Sequence, residues 1–171
     1  PRNELTRLLD TLTRLARVDR HIDLHEYCLL RALAVQIRDL LTPSASAPAG
    51  TLSLRSCRAA FATACAIVAR CGSPDNEPAA ASAFRRAVQQ AIPGWCPEYH
   101  ASPDWQPVLD RALARLAKLH PADKRKAVLG LAVTITSDGV VTVGEAELLR
   151  VICAYLQCPP PTLRGLPRAA A

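Results

Sequence analysis

An all-α fold, a bundle of about seven helices, is what this sequence predicts, and three observations predict it. Half of the 171 residues are apolar but only 4% are aromatic. Ala and Leu carry most of that apolar content and favour helix, whereas the β-branched and aromatic residues that suit strands are few. Apolar residues recur at i, i+3, i+4 and i+7, the period of a helix with one buried face. The 14 Pro residues cluster between these stretches and not within them, which marks where helices end.

The first helix is expected from Glu4 to Val18, with Leu5, Leu8, Leu9, Leu12, Leu15 and Ala16 on one face. After a break at Asp19–Ile22 a second follows over 24–41, with Tyr27, Leu30, Ala34, Ile37 and Leu41 on its stripe. Residues 42–53 (TPSASAPAGTLS) have no period and read as a linker or mobile loop. A third helix covers 54–70, with Gly72 as its natural stop. Ser73-Pro74-Asp75 turns the chain into a fourth over 77–91. Residues 92–106 form a second irregular connection, which Trp95 and Trp105 are expected to pack down. The fifth helix spans 107–119. Pro121 then opens the sixth, where its missing N–H costs nothing. Ala127–Ile135 is apolar nearly all round, so this sixth helix is expected to be the buried centre. A seventh covers 143–156. Residues 1–158 thus read as a single helical domain, and 159–171, opening on three prolines, as an extended tail.

Net charge is +6. The Arg residues are scattered and form no dense block, which argues against a nucleic-acid footprint and leaves room for proximity to an anionic membrane face. No basic segment precedes an apolar one as in a signal peptide, and the longest apolar run falls far short of a membrane span. The chain starts at Pro1 and contains no Met, so it is expected to be part of a longer or processed product. Seven Cys stand at 28, 57, 65, 71, 96, 153 and 158 with no CxxC pair. They read as small buried hydrophobes in a reducing compartment, which predicts a cytoplasmic location.

The first break and the last are alike. Asp19-Arg20-His21-Ile22-Asp23-Leu24-His25-Glu26 runs on to Leu29-Leu30-Arg31, and Asp138-Gly139-Val140-Val141-Thr142-Val143-Gly144-Glu145 runs on to Leu148-Leu149-Arg150. Both fit D-x-x-[IV]-[DT]-x-x-E-x-x-L-L-R at one constant offset, which reads as an internal repeat. Asp23 and Thr142 are good N-caps, and Glu26 and Glu145 lie three residues on, where a carboxylate reaches back to the cap N–H. Each pair predicts a capping box, with Ile22 and Val141 as staples. Gly139 tolerates the left-handed conformation that ends a helix.

The second copy, from Ser137 to Arg150, resembles the element repeated in the TerB-like family of helical bundles, named for a tellurite-resistance protein. The first copy departs at Arg20, where that family prefers Gly. The order of a degenerate first element, a Pro/Ala-rich loop, then DGVVTVGEAELLR and a Cys-Pro-Pro ending is similar to the cytosolic C-terminal region of bacterial HtpX-like membrane zinc metalloproteases. That resemblance implies a non-catalytic accessory, regulatory or partner-binding domain whose partner is a protein or the parent protease domain. It also implies that the protease domain, its zinc and its membrane spans lie N-terminal to Pro1, and that the chain is tethered to the inner membrane from the cytoplasm. The alternative the same family implies is a stress-response module that binds a cation or a protein partner.

Asp19, Asp23, Glu26, Asp138, Glu145 and Glu147 are the acidic candidates for a weak divalent cation, because hard cations take carboxylate oxygens. Capping already accounts for Asp23, Glu26 and Glu145, and the loops lack the alternating acids of an EF-hand. His25-Glu26-Tyr27-Cys28-Leu29 begins like HExxH but has Leu29 at the second ligand position, so no catalytic zinc is expected. His21, His25 and Cys28 on one turn, and Cys96 with His100, are too few for a closed zinc site. No residue pattern predicts a catalytic nucleophile with its base, and no catalytic or cofactor-binding residue is assigned.

Overall fold

The computed structural model describes residues 23–41 and 50–162, with isolated helical positions at Glu4, Arg7, Thr11 and Arg14. The chain falls into two compact units, Pro1–Pro48 and Ala49–Ala171. The division lies inside the segment read as a linker. Among the described residues the structure is all-helical, with six helices: α1 (Leu24–Leu41), α2 (Arg58–Gly72), α3 (Glu77–Ala91), α4 (Trp105–Leu116), α5 (Pro121–Ile135) and α6 (Val143–Leu156). The expected helix over 4–18 and the break at Asp19–Ile22 otherwise lie outside the described residues.

In the first unit, α1 starts on a capping box. The Glu26 N–H donates to Asp23 Oδ1 at 2.8 Å, and the Asp23 N–H donates to Glu26 Oε2 at 3.0 Å. Two of the four orphan donors of the helix start are thereby satisfied reciprocally. Tyr27 and Ile37 of the expected stripe are buried, together with Cys28 and Val35. Leu29 and Leu40 are exposed.

In the second unit, α2 is the helix packed against all four others. Phe61 and the six consecutive residues Ala64–Ala69 are buried. Six successive positions at about 100° each cover the whole circumference of a helix. This corrects the expectation that Ala127–Ile135 forms the centre. That helix, α5, is nearly as buried, at Ala127, Val128, Gly130, Leu131, Ala132, Thr134 and Ile135, but Leu129 is 45% exposed and it does not pack against every other helix of the unit as α2 does. The small Ala and Cys side chains of α2 let four neighbours approach it, and apolar content alone does not reveal that. The most extensive packing in this unit is between α3 and α5, where Ala87 and Ala91 lie against Gly130. A Cβ on Gly130 would stand 2.7 Å from Phe61 Cζ and 3.2 Å from Ala91 Cβ.

The end of the expected 42–53 linker is docked. Leu52 pairs in parallel with Leu119 as an isolated bridge. The Leu52 N–H donates to the Lys118 carbonyl at 3.1 Å, and the His120 N–H donates to the Leu52 carbonyl at 2.8 Å. The Lys118 carbonyl and the His120 N–H beyond α4 thus find partners in a segment that composition alone marks as loop. Asp123, in the first turn of α5, completes the strap by accepting the Leu54 N–H at 2.9 Å on Oδ2 and Lys126 Nζ at 2.9 Å on Oδ1.

The Lys126 ammonium and the Leu54 N–H hold the Asp123 carboxyl below the usual carboxylate value. Its folded pKa is depressed, so its contribution to stability is full above the unfolded carboxylate pKa and is lost as pH falls through the folded value. Asp123→Asn is expected to lower stability at neutral pH by about 1–2 kcal/mol. It should also remove part of the acid-induced loss. Urea unfolding of both chains at pH 7 and near pH 3 checks this, and equal differences at the two pH values would contradict it.

The last helix, α6, ends with Gln157 in the left-handed region at φ 55°. The Gln157 N–H donates to the Ala154 carbonyl at 3.1 Å, and the Cys158 N–H reaches back to the Cys153 carbonyl at 2.9 Å. The bond from Cys158 to Cys153 is the 6→1 closure of a Schellman end.

Candidate functional site: the cleft around Tyr99

The connection from α3 to α4 is irregular but held. Gln89, late in α3, clamps it with both ends of its amide. Gln89 Nε2 donates to the Trp95 carbonyl at 3.0 Å and to Cys96 Sγ at 2.8 Å, and Gln89 Oε1 accepts the Gly94 N–H at 3.2 Å. The Arg58 guanidinium lies over the Trp95 ring, 5.5 Å from its centroid. Trp105 was expected to pack this connection down. It is the first residue of α4 and is half-buried. The aromatic contact beyond Trp95 is Tyr99, whose ring meets Phe84 of α3 edge-on at 5.6 Å.

Tyr99 stands between two clefts. One, of about 410 Å³, is lined by Glu77, Pro78, Ala81, Arg85, Pro97 and Glu98 beside Tyr99. The other, of about 350 Å³, is lined by Arg70, Ser73, Pro74, Glu77, His100 and Ala101 beside it. The framework is firm. Asn76 caps α3 by accepting the Ala79 N–H at 3.0 Å, and Arg70 Nη1 donates to the Ser102 carbonyl at 3.2 Å. Burial pushes the Tyr99 phenol up, Arg70 pulls it down, and Glu77 and Cys71 push it up. Tyr99 is therefore a neutral hydroxyl that both donates and accepts at physiological pH. With Arg70 and Arg85 against Glu77 and Glu98, the clefts offer both charges, hydroxyls and one aromatic face. Such a surface suits polar recognition.

The acidic candidates lie elsewhere. Asp19 lies outside the described residues. Asp23 and Glu26 are joined in the α1 capping box. Asp138 Oδ1 accepts the Val140 N–H at 3.0 Å in a turn where Gly139 takes φ 84°. Glu145 closes the α6 capping box. Its Oε2 accepts the Thr142 N–H at 2.9 Å and the Thr142 hydroxyl at 2.8 Å, while the Glu145 N–H donates to Thr142 Oγ1 at 3.2 Å. Glu147 borders a small cleft with Val141, Thr142 and Arg150. Among the described residues no three His, Cys, Asp or Glu side chains gather where they would hold a metal ion. His25 is exposed and Cys28 buried, and His21 lies outside the described residues.

Gly72 serves a purpose its position hides. It ends α2, but its backbone is not left-handed, and Ser73 carries the cap. A Cβ at Gly72 would overlap Glu145 Oε1. The helix stops at Gly72 as expected, but for another reason: the glycine makes room for the buried carboxylate of the second capping box.

Sequence reasoning did not find Arg70, Glu77 or Tyr99 as site residues. Their one sequence signal is a tyrosine set among prolines in a connection too long for a simple turn. No family model, no curated protein and no solved structure matches the chain.

Proposed function

We propose that this chain is a non-catalytic, partner-binding helical domain of the TerB-like kind, serving an HtpX-like membrane zinc metalloprotease from the cytoplasmic side. The observation that carries the binding role is the pair of clefts flanking Tyr99, formed by a clamped loop beside the capped start of α3. The resemblance of Ser137–Arg150 to the TerB-like element supports the family, and the matching hydrogen bonds of the two capping boxes support a shared design for its two copies. Among the described residues no helix is long and apolar enough to cross a membrane. On this reading the spans and the HExxH helix belong to the protease, and the basic surface of this chain faces the cytoplasm. The partner is an extended polypeptide segment of the protease carrying charged side chains, because the clefts display both Arg and Glu around one aromatic ring.

A photo-crosslinking amino acid at position 81 or 101 of the full parent protein tests this. It is expected to capture a peptide of the protease domain, and Tyr99→Ala should reduce that capture at least about tenfold, as removal of an aromatic anchor does. Circular dichroism should show the variant still folded. Capture no greater than from position 111, on the surface of α4, would sink the binding role. A parent sequence without HExxH would sink the protease assignment and leave a free-standing TerB-like module.

A further inference from the structure

We propose that Cys153 and Cys158 are a redox-active dithiol, which a hydroperoxide converts to an intramolecular disulfide across the end of α6. The carrying observation is the Schellman closure. The Cys158 N–H donates to the Cys153 carbonyl at 2.9 Å, and both thiols are free. A bond of that kind sets the two Cα atoms about 5–6 Å apart, within the span a disulfide bridges. In this motif the side chains of these same two positions turn toward one another and normally make an apolar contact. Here both are thiols.

The two cysteines differ in access, which assigns their order. Cys153 is buried at 1% exposure, while Cys158 is partly exposed on the solvent side of the helix end. Burial pushes the Cys158 thiol up, and Lys124, whose Nζ donates to the Leu156 carbonyl at 3.1 Å, offsets part of that rise, so access and not acidity sets the order. Cys158 therefore reacts first. Its thiolate attacks one oxygen of hydrogen peroxide. An S–O bond forms, the O–O bond breaks, and the departing hydroxide is protonated to water. Cys153 then attacks the sulfenic sulfur as thiolate. The S–S bond forms, the S–O bond breaks, and a second water leaves. Two thiols lose two electrons and two protons, and one peroxide becomes two waters.

Burial pushes the Cys153 thiol up to about 11, and the neighbouring Cys158 pushes it the same way. Thiolate is therefore scarce at neutral pH, and the reaction should accelerate toward tenfold per pH unit between pH 7 and 9. Such a pair is slow to oxidise and is reopened by thiol reductants, as suits a disulfide that is regulatory and not structural.

Trypsin places both cysteines in one peptide, residues 151–164, which makes the test direct. The full folded chain is treated with hydrogen peroxide, alkylated in denaturant and digested. The peptide is expected to lose about two mass units and to accept no alkyl groups until dithiothreitol is added. Cys158→Ser should leave Cys153 reduced and alkylatable, and this partly exposed site should tolerate the change. Two alkyl groups on the peptide while the exposed Cys96 is already oxidised would overturn the proposal. So would a link that forms only in urea, or a link from Cys158 to another molecule.

Discussion

Phe61→Ala is expected to destabilise the chain by about 3–5 kcal/mol, a large share of the roughly 5–15 kcal/mol that holds a domain of this size. Phe61 is completely buried on α2. Its ring edge fills the space left by Gly130 on α5, beside Ala87 and Ala91 of α3. Truncation loses the transfer energy of the ring and leaves a cavity that three helices cannot close together. The complementary change, Gly130→Ala, drives a methyl into the ring edge and should cost about 1–3 kcal/mol through overpacking. Combined with Phe61→Leu, whose side chain is shorter, the same Ala should cost less, because the methyl enters space that the ring has left. Urea unfolding reads all of these as midpoint shifts at unchanged slope. A loss under about 1 kcal/mol for Phe61→Ala would contradict the packing at this three-helix junction.

What the sequence made legible follows from how local each cause is. The bounds Leu24–Leu41, Glu77–Ala91 and Val143–Leu156 were read to the residue, because capping residues act within one turn. Both capping boxes were legible for the same reason. The start of α2 was not, because residues 54–57 turn before the helix begins at Arg58. The central position of α2 depends on which small-residue surface four other helices choose, and no window of sequence contains that choice. The Tyr99 clefts draw on α2, α3 and the loop beyond them, so their residues meet only after folding. Gly72 shows the limit most clearly. A glycine after a helix reads as a stop, yet its reason here is a carboxylate more than seventy residues away in the chain.

Gly72→Ala and Glu145→Ala should therefore each cost about 1–2 kcal/mol, and together less than their sum. Glu145 is only 5% exposed. One carboxylate oxygen closes the capping box with Thr142, and the other rests where a Gly72 side chain would begin. A methyl at position 72 must push the carboxylate away and open the box. Once Glu145 is Ala, that methyl has nothing to displace, so the second change should be nearly free. Thr142→Ala, which opens the same box from the other side, should cost about 1 kcal/mol and also be sub-additive with Glu145→Ala. Thermal melts of the singles and doubles give the coupling, and strict additivity would remove the link between Gly72 and Glu145. The charge adds a pH signature. Burial pushes the Glu145 carboxyl up, its two bonds from Thr142 pull it down, and Asp138 pushes it up again, for a net rise. The Cys71 thiol also feels this charge. A raised folded pKa means the fold favours the protonated acid. Its contribution is full below the unfolded carboxylate pKa and is lost as pH rises through the folded value. Glu145→Gln keeps an oxygen for the Thr142 N–H and removes the titration. Relative to the natural chain, it should gain stability as pH climbs from below 4 toward 7. Parallel Tm curves for the two chains across that range would show that Glu145 carries no such penalty.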